Sequence, residues 1–199
     1  MTVRAHIESS VDTLRGTAGF GFWNQPFVPN HRFNGLPQAA WFFFAPPPNN
    51  MHLALGIPGS GWKAATIDAT RWQFLMMLPT APIGLLLMRI QILYRLLWPI
   101  VQRSIGISEC LLDPGLLSNS HTYTLGWLDN TVEFGIDGTI VHKSPIAPRG
   151  PLGFVAWIDN QYAVVTPQGS FKFGLASIEN EQSLVLSEAR LTTLTFGDE

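Results

Sequence analysis

Residues 121–141 carry the strongest structural signal in the chain, the pattern of three short β-strands joined by two tight turns. Residues 121–127 alternate bulky with small side chains, which is the two-residue period of a β-strand. Asp129-Asn130 and Asp137-Gly138 are sequences typical of tight turns. Between the turns, apolar and smaller or polar residues alternate again. The segment therefore predicts an antiparallel meander.

Six residues of this meander resemble a known family. Their spacing, H-x-Y-x-x-x-W followed by F-x-x-D-G, is similar to that of concanavalin-like jelly rolls, especially family 16 glucanases. The six are His121, Tyr123, Trp127, Phe134, Asp137 and Gly138. The resemblance implies an all-β fold, an antiparallel β-sandwich in which the concave face of one sheet carries the ligand.

The strand predicted at residues 38–45 separates this chain from the catalytic glucanases. The resemblance implies three carboxylates at alternate positions of this strand, where a nucleophile and an acid flank the glycosidic bond. The sequence here is QAAWFFFA, and neither alternate set contains an acid. Carboxylate-pair glycosidase chemistry is therefore not expected, because nothing would stabilise the oxocarbenium ion or protonate the leaving group.

Several other segments have strand patterns bounded by turn signals. The first, residues 2–8, alternates apolar with polar residues and is expected near a sheet edge. The remaining predicted strands are residues 17–23, 51–55, 62–68, 105–113, 152–159, 162–165, 170–173 and 182–196.

Bulk composition narrows the class of protein. A chain of 199 residues with 46% hydrophobic residues is expected to form one β-sandwich domain over residues 1–199. A net charge of −2 with 13% charged residues predicts no electrostatic footprint for nucleic acid or for an acidic membrane surface. The single cysteine, Cys110, excludes an internal disulfide. The first ten residues contain no apolar segment of signal-peptide type, which predicts a cytoplasmic location for the chain as given.

Residues 72–104 depart from the strand pattern and predict an apolar helical insertion. Four residues at helical spacing form one stripe, and they are Leu86, Ile90, Leu93 and Leu97. Pro99 is expected to kink or end the helix. Arg89 and Arg95 argue against a transmembrane span, although residues 82–101 are nearly long enough for one. We interpret the insertion as packed over a sheet face or against a second copy. The alternative is a lid that roofs an apolar pocket or enters a membrane surface.

A set of aromatic and polar residues matches strands of the ligand-bearing face in the resemblance. The set is Trp23, Asn24, Trp41, Phe43, His121, Trp157, Asp159, Asn160 and Gln161. Aromatic rings would form a platform for a ligand, and amide groups would orient it through hydrogen bonds. A core position is the competing interpretation for the aromatic residues, and Asp159-Asn160 also fits a turn.

Three residues are candidates for acid–base catalysis of a different kind. Burial in an apolar cleft would raise the pKa of Asp159 or Glu109, and His121 could then partner either carboxyl group. The histidines are scattered through the chain, so no zinc-type metal site and no cofactor are expected. They are His6, His31, His52, His121 and His142. A structural calcium ion would be ordinary in jelly rolls of this resemblance, although no dense Asp-x-Asp run occurs.

These observations lead to three functional hypotheses. The first is non-hydrolytic binding of a hydrophobic or amphipathic small molecule, such as a glycan or glycolipid, under the helical insertion. The second is a cyclase, isomerase or lyase that uses Asp159, Glu109 or His121 on an apolar substrate. The third is a structural protein that forms a homodimer through the insertion.

Overall fold

The computed structural model describes residues 1–24 and 35–193 of the chain. It is built mainly from antiparallel strands arranged in two five-stranded sheets. In sheet A the strands lie in the order β13-β1-β7-β8-β9, with bounds Leu184–Arg190, Thr2–Ile7, His121–Trp127, Val132–Ile136 and Thr139–Ser144. In sheet B the order is β10-β2-β3-β5-β6, with bounds Gly153–Asp159, Thr17–Trp23, Gln38–Ala45, Gly61–Asp68 and Ile107–Leu112.

A smaller sheet, sheet C, has three strands in the order β12-β11-β4. Their bounds are Phe171–Leu175, Gln161–Val165 and Asn50–Met51. The β4 strand pairs with β11 in parallel, and the pairing covers only two residues. The prediction of a strand at residues 51–55 is therefore wrong, because the chain leaves the sheet after Met51 and turns.

Aromatic side chains fill the space between sheets A and B. Phe42 of β3 lies 5.3 Å from Phe134 of β8, and Phe20 of β2 lies 5.2 Å from Tyr123 of β7, measured between ring centroids. These four rings are completely buried, and Trp62 of β5 packs among them. Edge-to-face contacts of this kind add to the free energy gained by burying the rings. The prediction of an antiparallel β-sandwich with a helical insertion is confirmed.

The predicted meander is present as β7, β8 and β9. The turn between β8 and β9 places Asp137 at φ 49° and Gly138 at φ 81°, the left-handed conformation that a two-residue hairpin requires. The Asp137 carboxylate accepts a hydrogen bond of 2.8 Å from the backbone N–H of Thr122, which ties the turn to β7.

The first strand does not lie at a sheet edge, contrary to the expectation from its sequence. β1 lies between β13 and β7, so both of its edges are paired. β13 comes from the far end of the chain, and an alternating pattern within β1 contains no information about such a partner. Residues 194–196, which were included in the predicted last strand, lie outside the described part of the chain, as does His31.

The insertion consists of three short helices rather than one. They are α1 (Trp72–Met77), α2 (Ala81–Leu87) and α3 (Gln91–Ile105), and a 3-10 turn joins the first two. α3 continues through Pro99 and ends at Ile105, with Gly106 at φ 68° as its C-cap, so the helix does not end at Pro99. None of the described helices is long and apolar enough to cross a membrane.

The buried face of the insertion also differs from the predicted stripe. Tyr94 and Trp98 of α3 are buried, whereas Leu86 and Ile90 are more than half exposed. The indole N–H of Trp98 donates a hydrogen bond of 2.8 Å to the carbonyl of Leu53, which docks α3 on the loop after β4. Because the helix is apolar on most sides, its sequence does not identify the face that packs.

Phe42 and Phe43 provide a test of the inter-sheet core. Replacing Phe42 by Ala is expected to lower the free energy of unfolding by about 3–5 kcal/mol, because the ring is fully enclosed between the sheets. Phe43→Ala is the matched control, since the same ring one residue later points to the opposite face and is only half-buried. Phe43→Ala is expected to lower the free energy of unfolding by less than Phe42→Ala does. Urea unfolding followed by circular dichroism measures both, and equal losses would contradict this core.

Candidate functional site

Four of the predicted aromatic residues meet on the outer face of sheet B, the face turned away from sheet A. Trp41 is central, because its ring lies 5.3 Å from Trp23, 5.5 Å from Phe43 and 5.5 Å from Trp157. All four side chains are half-buried. We call these four residues the aromatic cluster.

Two glycines of β2 make room for the cluster. Gly19 lies opposite Trp157 on one side and Phe43 on the other, and Gly21 lies opposite Trp41. A Cβ atom built on Gly19 would lie 2.7 Å from the Trp157 ring, closer than two carbon atoms can approach. The rings of Trp157, Trp41 and Phe43 can therefore pack over the middle of β2, where Gly19 and Gly21 have no side chains.

The predicted polar residues near the cluster hold loops together. The side chain of Asn24 donates to the carbonyl of Leu36 at 3.0 Å and accepts from the backbone N–H of Gln38 at 3.0 Å. Asp159 accepts three hydrogen bonds on one oxygen, from the N–H and hydroxyl of Thr17 and from the N–H of Gln161, at 2.9–3.0 Å. Asp159 therefore shapes the connection from β10 to β11, as the turn interpretation predicts.

Asn160 lies in the same connection, and its side chain donates to the carbonyl of Ala176 at 3.2 Å. This bond fixes the segment after β12 against the end of β10. Gln161 is exposed at the start of β11, where its backbone N–H is the group that Asp159 binds. The structure thus places Asn160 and Gln161 next to Asp159, at the margin of sheet B.

The structure does not bring His121 to this face. His121 begins β7 in sheet A, and its Nδ1 atom hydrogen-bonds to the carboxylate of Asp137. The hydrogen bond from the N–H of Thr122, assisted by that from His121, lowers the pKa of Asp137.

The other two candidate catalytic residues, Glu109 and Asp159, lie on β6 and β10, the two edge strands of sheet B. These strands are four strand spacings, or roughly 19 Å, apart. The three candidate catalytic residues are therefore separate.

Glu109 forms a buried ion pair that the sequence interpretation missed. Its carboxylate lies 3.4 Å from the ammonium group of Lys63 on β5, and the two side chains are only 7% and 3% exposed. The backbone N–H of Ala54 donates to the same carboxylate at 3.3 Å. Removal from water raises the pKa of Glu109, and the charge of Lys63 opposes that rise. A lysine within the apolar strand GWKAATID is the one sequence signal that pointed to this pair.

An apolar cleft of about 420 Å³ lies between the insertion and the outer face of sheet B. Sheet B contributes Ile67 and Ile107, and the insertion contributes most of the opposite wall. The turn between β11 and β12 closes one side. The insertion residues of the wall include Phe74, Leu85, Met88, Trp98 and Val101. Within residues 1–24 and 35–193, no charged side chain lines the cleft, and none of the predicted ligand-binding residues does.

Comparison with known protein families, curated proteins and solved structures finds no match to this chain. In the part of the chain that the structure describes, no group of three His, Cys, Asp or Glu side chains could hold a metal ion.

Gly19 offers a test of the packing of the aromatic cluster. Gly19→Ala is expected to lower the free energy of unfolding by about 1–3 kcal/mol, because the added methyl group would overlap Trp157 and the backbone of Phe42. Gly126→Ala is the matched control, since this glycine also lies in a strand and its added Cβ would find its nearest atom 3.9 Å away. Thermal unfolding measures stability, and near-ultraviolet circular dichroism reports the cluster. Similar losses for both variants would contradict the close approach at Gly19.

The ion pair predicts a non-additive double-mutant cycle. Lys63→Met is expected to cost about 3–5 kcal/mol, because it leaves the Glu109 carboxylate buried without its cation. The double variant Lys63→Met with Glu109→Leu is expected to cost less than this single variant. If urea unfolding gives the double variant a loss of stability equal to the sum of the losses of the two single substitutions, the two charges are independent.

The same pair predicts a pH dependence. Without Lys63, the raised pKa of Glu109 rises further, so the folded state binds a proton that the unfolded state has already released. The stability of Lys63→Met is therefore highest below the pKa of an unfolded glutamate and falls as the pH rises through the pKa of the folded state. The double variant, which has no carboxyl group at position 109, should not lose stability with rising pH in this way. If it loses stability as Lys63→Met does, the pH dependence comes from another group.

Proposed function

We propose that this protein binds a hydrophobic or amphipathic small molecule, without hydrolysing it, in the apolar cleft beneath the helical insertion. One observation carries the proposal, the apolar cleft of about 420 Å³ between the insertion and sheet B. This volume falls within the range of about 300–1,000 Å³ that is typical of small-molecule sites.

The lining determines the class of ligand that the cleft favours. Side chains of Ile, Leu, Met, Val and aromatic residues dominate it, and the hydroxyl groups of Thr80 and Thr166 are the polar side-chain groups among the described lining residues, apart from the indole of Trp98. A charged group would lose its hydration and find no counter-charge, which is costly. The favoured ligand therefore places a neutral apolar portion inside. A glycolipid fits this description through its acyl chains, whereas a free glycan would leave its hydroxyl groups without partners.

The mouth of the cleft supports an amphipathic ligand. Phe171 of β12 lines the cleft and is also 58% exposed, so it lies where the cleft meets solvent. Thr80, in the turn before α2, is exposed and lines the cleft as well. A ligand with a polar end could leave that end at this rim while its apolar part is buried.

Binding is favoured over conversion by the positions of the ionisable groups. Glu109 is engaged by Lys63, Asp159 by Thr17 and Gln161, and His121 by Asp137. No described residue of the cleft can exchange a proton with a ligand in the physiological pH range. The resemblance to concanavalin-like jelly rolls supports the same proposal at a coarser level, since it implies a ligand on one sheet face.

Val101 provides the test of this proposal. Val101→Trp is expected to weaken binding of the neutral probe N-phenyl-1-naphthylamine at least tenfold, because the larger side chain takes up space in the cleft that Val101 lines. Ile100→Trp is the matched control, since Ile100 is the preceding residue of α3, is 58% exposed and does not line the cleft. Probe fluorescence measures the dissociation constant, and circular dichroism verifies that both variants fold.

The outcomes separate the cleft from the exposed apolar surface. One saturable site that Val101→Trp weakens and Ile100→Trp retains would support the proposal. Equal effects of the two substitutions, or unsaturable probe binding, would contradict it. Native mass spectrometry of the wild-type protein then asks whether a lipid-like compound of defined mass is carried through purification.

A further inference from the structure

The outward surface of the insertion is the most apolar surface of the described chain. Of the 19 large hydrophobic residues that are exposed in the described residues, 11 lie between Trp72 and Ile100. We call these 11 residues the insertion surface. They are Trp72, Leu75, Met76, Leu78, Ile83, Leu86, Leu87, Ile90, Ile92, Leu96 and Ile100. Such a concentration of exposed large apolar residues within one segment marks a site of interaction rather than ordinary solvent-facing surface.

This surface continues onto the edge strand β12. Phe171, Phe173 and Leu175 alternate along β12 and are each at least 58% exposed. The turn before β12 reaches the insertion, because a Cβ atom built on Gly169 would lie 3.9 Å from the Leu85 side chain of α2. The start of β12, with Phe171, therefore lies next to α2 at the mouth of the cleft.

The charges within the insertion have one sign. Between Ala69 and Ser108 the side chains that are charged at neutral pH are four arginines, although the whole chain has a net charge of −2. The four are Arg71, Arg89, Arg95 and Arg103. Arg89, Arg95 and Arg103 are exposed. Among the described residues, none of the four forms a salt bridge.

The two arginines of α3, Arg95 and Arg103, lie beside its exposed apolar residues, not on an opposite face. On α3, Ile92, Leu96 and Ile100 recur every four residues and are 58–67% exposed. Arg95 and Arg103 lie three residues after Ile92 and Ile100, which places them on the same side of the helix. An arginine can bury its aliphatic part against such a surface while its guanidinium group reaches the polar layer above.

We infer that the insertion surface and β12 dock on the surface of an anionic phospholipid bilayer. A bilayer interface offers a partner for both chemistries at once, an acyl region for the apolar side chains and lipid phosphates for the arginines. A second copy of the chain fits less well. A two-fold symmetric contact would face the same cations with each other, and the insertion has no acidic residue to pair with them. This inference is independent of whether the cleft binds a ligand.

Vesicle flotation tests the docking with the full chain. The wild-type protein is expected to float with vesicles of phosphatidylcholine and phosphatidylserine, and much less with phosphatidylcholine alone. Added salt should release it, because screening weakens the attraction between arginine and lipid. Arg89→Gln with Arg95→Gln should reduce the partition coefficient by about fivefold for each arginine removed. Ile92→Gln with Leu96→Gln should reduce it for both vesicle types, because apolar area is lost.

Matched controls distinguish the insertion surface from general effects. Lys143→Gln with Arg190→Gln removes two exposed cations of sheet A, and Ile140→Gln removes an exposed apolar side chain of β9. These variants should float like the wild type. Equal losses in the controls, or no flotation of the wild type with anionic vesicles, would overturn the inference. So would a stable dimer in light scattering that Ile92→Gln with Leu96→Gln converts to a monomer.

Discussion

The fold depends on a central strand that is apolar on both of its faces. In β3, Phe42 and Phe44 point into the space between the two sheets, while Trp41 and Phe43 point outward. Other parts of the chain must therefore cover both faces of a sheet that has such a strand at its centre. Sheet A covers one face with its own aromatic residues. Within the described residues the outer face has no second large sheet over it, and other segments provide its cover in separate pieces.

Those pieces explain why polar and apolar features occur side by side on the outer face. Over β10, β2 and β3 the aromatic cluster provides the cover, because Gly19 and Gly21 allow its rings to approach the strand closely. Over β5 and β6 the cover is the loop after β4, which supplies the N–H of Ala54 to the Lys63–Glu109 pair. Beyond this pair the helices of the insertion lie over Ile67 and Ile107 of the sheet and enclose the cleft with them.

The parts of the fold that could be predicted are those specified by local pattern. The bounds of β2 and β3 were predicted correctly, because their runs of aromatic residues end at turn sequences, and the meander was found from its two hairpin turns. Features that depend on partners distant in sequence were not predicted. The place of β1 depends on β13, and the partner of Glu109 depends on the register between β5 and β6.

The candidate site shows the same division. The resemblance grouped Trp23, Trp41, Phe43 and Trp157 on one sheet face, and their rings do meet there, because their strands are adjacent in sheet B. It could not exclude His121, since the assignment of a strand to one sheet or the other is a property of the whole topology. The cleft lies next to this cluster but is formed by the insertion. Its buried side chains are a subset of an almost uniformly apolar segment, so periodicity did not single them out.

Pro99 has a consequence for how deeply the insertion can enter a lipid environment. Proline has no backbone N–H, so the carbonyl of Arg95, one turn earlier in α3, lacks its usual helical partner. A carbonyl group without a partner is costly in hydrocarbon and inexpensive where water reaches it. Pro99 and Arg95 are both exposed. For the docking that we infer, this carbonyl on the outward side of α3 would keep the helix at the boundary between headgroups and water rather than below it.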